Sequence, residues 1–124
     1  MLLAVALGGA IGASARYGVY LLTSRALAGA FPWGTVAVNI VGSMALGCLI
    51  GFLALKGAVS PELRAFLVVG VLGAFTTFST FSMDVVFLAE RNALGTLAGY
   101  MLVSVAGAIL AFWAGMRLVR LVLV

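Results

Sequence analysis

Gly70-Val71-Leu72-Gly73-Ala74-Phe75-Thr76-Thr77-Phe78-Ser79-Thr80-Phe81-Ser82 lies midway along a hydrophobic stretch bounded by Arg64 and Glu90. Five hydroxyls and three phenylalanines fill the eight positions from Phe75 to Ser82, shortly after two glycines. Threonine and serine compete with the helix for backbone hydrogen bonds, and glycine weakens it. The segment is long enough to cross a bilayer, yet it should break near its centre. Broken helices at that depth occur where they are buried in protein or line a water-filled cavity, and the carbonyls they free commonly make ion sites. The competing reading is a continuous helix whose hydroxyls bond back to their own carbonyls.

The rest of the chain makes the membrane assignment firm. Its 124 residues are 65% hydrophobic and 8% charged, with a mean hydropathy of +1.32. A typical soluble domain carries about 25% charged residues, so this surface could not be solvated by water. A hydrocarbon core of about 30 Å needs roughly 20 apolar residues in a helix, and the charges punctuate four such spans. They run over about 2–24, 33–55, 65–89 and 94–116, with short connections and no soluble domain, giving one four-helix transmembrane domain over 1–124. Ala13-Ser14-Ala15 has the form of a signal cleavage site, but nothing basic precedes Arg16, so the first span is read as retained. Histidine is absent and Cys48 is the single cysteine. Zinc chemistry, hydrolysis and a disulfide framework therefore have no residues to rest on. Seven scattered bases leave a net charge of +4 without a patch that could grip nucleic acid.

Charge also bears on orientation. Lys56, Arg64, Arg117 and Arg120 would lie on one side of the membrane, and Arg25 and Arg91 on the other. Four against two is a weak bias that permits insertion both ways. Two opposed copies would form an antiparallel dimer with its two-fold axis in the membrane plane, which echoes the inverted repeats of transporters.

Several residues are out of place in lipid. Gly8, Gly12 and Arg16 form one stripe of the first span, Gly47 and Gly51 a small-xxx-small pair in the second, and Gly95 and Gly99 another in the fourth. Such spacing marks close helix contact within or between subunits. Arg16 would cost about 2.5–3.5 kcal/mol in lipid on insertion scales. It should face protein or water, either attracting anions in a vestibule or snorkelling to the interface. Asn39 is a hydrogen-bond donor within the second span, as a site residue or as interhelical glue. On the fourth span Tyr100 and Ser104 share a face with Gly107, Ala111 and Gly115.

With these residues in view, the chain resembles the Fluc family of fluoride channels, also called CrcB proteins. The matching stretches are Gly8-Gly9-Ala10-Ile11-Gly12-Ala13-Ser14-Ala15-Arg16-Tyr17, Trp33-Gly34-Thr35 with Val38-Asn39 and Gly42-Ser43, and above all Gly73 to Ser82. The resemblance implies an all-α membrane protein of four helices, the third broken at mid-membrane, assembled as an antiparallel dual-topology homodimer. It implies passive, selective export of fluoride that relieves fluoride toxicity, from a multi-pass site in a prokaryotic inner (plasma) membrane. It further implies a structural Na⁺, not transported, on the backbone carbonyls of Gly73 and Thr76 of both subunits. By motif position Phe78 and Phe81 would be the pore phenylalanines, Asn39 and Ser104 pore residues, Tyr100 and Thr35 their neighbours, and Arg16 the vestibule arginine. Physical reasoning agrees: fluoride is strongly hydrated, so a pore must replace its water with neutral donors that bind loosely, and ring edges are weakly positive.

The nearest alternative is a proton-coupled exporter of cationic drugs resembling the small multidrug resistance proteins. That resemblance would require a carboxylate in the first span, which has none; Asp84 and Glu90 lie toward the end of the third. An accessory subunit packed on a larger partner would need no donors at the centre of a helix. No residues support an enzyme or a receptor.

Overall fold

The computed structural model describes every residue except Ala28 and Ala58. Four helical segments are long and apolar enough to cross a membrane: Leu2–Ala26, Trp33–Lys56, Pro61–Glu90 and Leu94–Leu123. They are called the first to fourth helices below. The fourth continues as helix past the membrane span expected to end near residue 116, through Arg117 and Arg120. Thirty residues span about 45 Å at 1.5 Å each, more than the hydrocarbon core. The charges mark where lipid ends, and with no proline or glycine beyond Gly115 the backbone has no reason to stop there. The Arg117 guanidinium lies 5.3 Å from the Trp113 ring centroid, a cation–π pair suited to the interface.

The third helix breaks where the sequence indicates. Its front half is helical over 61–75 and its rear half over Phe78–Glu90. Between them Thr76 (φ −81, ψ 161) and Thr77 (φ −154, ψ 115) are extended, a conformation β-branched residues favour. Ser60 caps the start of the front half through its side chain, which accepts from Leu63 N–H at 3.2 Å. Ala65–Leu72 winds in wide π turns, a feature the sequence did not announce.

Packing pairs the helices. The first lies against the front half of the third, the second against the fourth, and the rear half of the third against the fourth. Glycines set the closeness of the first two contacts. A Cβ added to Gly70 would sit 2.8 Å from the Cα of Gly8, and one added to Gly12 would strike the Val71 carbonyl. Between the second and fourth helices, a Cβ on Gly47 would meet the Phe112 backbone, and one on Gly51 would come within 3.3 Å of the Met116 backbone. These stripes therefore serve contacts within the chain. Gly95 and Gly99 face open space. The small core of Val36, Phe81, Leu88 and Tyr100 gathers at the rear half of the third helix. Most other large apolar side chains are exposed, as lipid permits.

Candidate functional site

The break is built by side chains that take over backbone hydrogen bonds. In a continuous helix the Thr77 N–H would serve the Gly73 carbonyl and the Thr80 N–H the Thr76 carbonyl. Here Thr77 N–H donates to Asn39 Oδ1 at 2.7 Å, and Thr80 N–H donates to Thr77 Oγ1 at 3.1 Å. Asn39 completes the clamp by donating from Nδ2 to the Thr77 carbonyl at 3.0 Å. Gly73 and Thr76 are thereby left with carbonyls that the helix no longer uses. Thr77 is the N-cap of the rear half, the usual office of a threonine at a helix start.

The hydroxyls of the motif are largely consumed in this construction. Thr76 Oγ1 donates to the Leu72 carbonyl and Ser82 Oγ to the Phe78 carbonyl, each at 3.0 Å. Thr77 Oγ1 donates to Thr80 Oγ1 at 3.1 Å and lies 3.2 Å from Ser79 Oγ. Back-bonding, set out above as the alternative to a break, thus accompanies the break. Arg16 reaches the same place from the first helix, its Nη1 3.5 Å from the Thr76 carbonyl oxygen.

Beside the break lies a cavity of about 320 Å³ lined by Asn39, Ser43, Thr76, Phe78, Phe81 and Ser104 among others. The Phe78 and Phe81 ring centroids are 5.5 Å apart. Phe81 is buried, whereas Phe78 is 77% exposed on the protomer surface. Ser104 Oγ is fully buried and has no hydrogen-bond partner. An unpaired buried hydroxyl costs about 1–3 kcal/mol, and this one meets no partner within hydrogen-bond geometry among the described residues.

Thr35 and Tyr100 do not line that cavity. Both donate to Asp84 Oδ2, at 2.7 and 2.9 Å, and Tyr20 Oη lies 3.3 Å from Thr35 Oγ1. The Tyr100 ring stacks behind Phe81 at 5.4 Å between centroids. Thr35, Thr80, Tyr20 and Asp84 instead border a second cavity of about 540 Å³. The sequence reading passed over Asp84 as a site residue because it sits late in its span. Its signal was available, since a carboxylate inside a membrane segment is a functional candidate by default.

Residues 3–116 match the family described as CrcB-like protein, camphor resistance. The chain belongs to the CrcB-like family. It is 52% identical over 122 residues to a protein of Chelativorans sp. (strain BNC1), covering 98% of each chain. It is 49% identical to one of Rhodospirillum centenum, covering 97% of this chain and 95% of that one. A protein of Agrobacterium fabrum is 53% identical, with 94% and 93% covered. Each of these relatives is named a fluoride-specific ion channel, FluC.

Proposed function

We propose that this chain is a fluoride-selective channel of the bacterial plasma membrane, working passively as an antiparallel dual-topology homodimer. The observation that carries the reading is Ser104 Oγ, a buried donor without a partner, beside a cavity that Phe78, Phe81 and Asn39 share. The relatives, named fluoride-specific ion channels, supply the ion. A neutral hydroxyl replaces part of fluoride's water, and ring edges add weak, partly positive contacts. Neutral donors hold the ion loosely enough to release it. Each 100 mV of potential is worth about 2.3 kcal/mol per charge, which drives an anion out of a cell that is negative inside. Arg16 gives the approach a positive charge, and the exposed Phe78 ring is a surface for the second copy.

The freed carbonyls of Gly73 and Thr76 suit a hard cation such as Na⁺, because backbone oxygens at a helix break are its usual ligands. Among the described residues no cluster of acids, cysteines or histidines offers an alternative. Bound between two copies, the cation would offset carbonyl dipoles close to an anion's path. Gly73 is exposed in the protomer, as a ligand shared with a second copy has to be. Thr35 and Tyr100 act one layer back, through Asp84, with Tyr100 supporting Phe81.

The test is purified protein in liposomes loaded with fluoride or chloride, with efflux followed after an ionophore releases the electrical potential. Rapid fluoride efflux with chloride retained is expected. Equal rates, or no fluoride efflux, would overturn the proposal.

A further inference from the structure

Gly8 and Gly12 let the first helix lie directly on the front half of the third. One turn further along the same stripe, Arg16 arrives level with the end of that half. The end of a helix presents unpaired carbonyls and a partial negative charge, which attract a cation. The Arg16 guanidinium answers that attraction: its Nη1 stands 3.5 Å from the Thr76 carbonyl oxygen, partly buried, and this is its one hydrogen bond among the described residues. The Thr76 carbonyl lost its helical donor because Thr80 N–H turns to Thr77 Oγ1.

We infer that Arg16 is a built-in occupant of the Thr76 carbonyl, which it surrenders when a cation fills the site, so that Arg16 sets the Na⁺ concentration needed for assembly. The inference rests on the cation site proposed above. Two full positive charges a few ångströms apart repel strongly where water is scarce, so guanidinium and cation cannot share this oxygen without loss. In the lone protomer the arginine keeps the carbonyl satisfied. In the assembled pair it is released toward the vestibule, where its charge faces incoming anions. Arg16 thus couples the cation site to the anion's approach.

The experiment measures the dimer fraction of purified protein on a sizing column while Na⁺ replaces N-methylglucamine at constant ionic strength. Wild type is compared with Arg16→Gln and Arg16→Lys. Removing the competing charge should lower the Na⁺ midpoint of Arg16→Gln about three- to tenfold, the scale of one charge a few ångströms away across bulk water, into which the released guanidinium moves. Lysine keeps the charge but not the planar fork, so Arg16→Lys should fall between, and it carries the test if the glutamine variant does not fold. A wild type that needs Na⁺ together with variants whose midpoints are unchanged or higher would overturn the role of Arg16 alone. A wild-type dimer indifferent to Na⁺ would overturn both the cation site and this inference.

Discussion

Ser104 and Asn39 line one cavity but do opposite work, and substitution should separate them. Ser104 makes no hydrogen bond, so Ser104→Ala removes an unsatisfied group and should leave stability unchanged or raise it by about 1 kcal/mol. Its fluoride flux should nevertheless fall, because the alanine offers no donor. Thermal unfolding and liposome efflux on the same preparation check both halves. Asn39→Ala strips partners from the Thr77 N–H and carbonyl together, leaving two backbone groups unpaired at a cost of about 2–5 kcal/mol. That variant should lose thermal stability, which a purely pore-lining asparagine would not do. The rings make a third case. Phe78→Ile and Phe81→Ile dimers that survive purification should conduct little fluoride, and wild-type flux through them would show that these rings only fill space. Phe81, buried against Tyr100, should also cost about 1–3 kcal/mol through poor repacking, whereas the exposed Phe78 should cost the protomer little.

At the level of elements, the broken third helix was legible because its cause is local: hydroxyls, β-branching and glycine all favour departure from the helix. What was not legible is who receives the displaced hydrogen bonds. That Asn39 captures the Thr77 N–H depends on the second helix lying alongside, and spacing within either segment carries no trace of it. The same holds for Thr35 and Tyr100. The resemblance places both only as neighbours of the pore, and that Asp84 accepts from both emerges once three helices meet. The fourth helix runs on past residue 116 to Leu123, because Arg117 and Arg120 limit the lipid-embedded length and not the helix. Glycines give the element-scale prediction. Gly8→Val drives side-chain atoms into the Phe66 and Gly70 backbone, so the protomer itself should be destabilised, by about 1–3 kcal/mol or more. A Cβ at Gly73 meets only the Val68 carbonyl, at 3.4 Å. Gly73→Val should therefore leave helicity by circular dichroism unchanged while the dimer peak on a sizing column is lost.

Over the whole molecule, four helices, a polar break at mid-depth and an open apolar surface fit a protomer completed by a second copy. On the proposed dual topology, the weak four-to-two bias of cations between its two faces permits that copy to insert upside down. A cysteine placed in the loop between the first two helices, in a background lacking Cys48, should be labelled from both sides of sealed vesicles by an impermeant reagent. Labelling from one side only would remove the antiparallel pair. The central claim is that the assembled protein passes fluoride passively, past neutral donors, with no coupled proton and no passage for chloride. It is tested most directly by the reversal potential of the current across a planar bilayer holding a fluoride gradient, equal chloride on both sides, and then an added pH gradient. The account predicts reversal at the fluoride equilibrium potential, unmoved by the pH gradient. Reversal near zero under the fluoride gradient, or a shift when pH is made unequal, would contradict it.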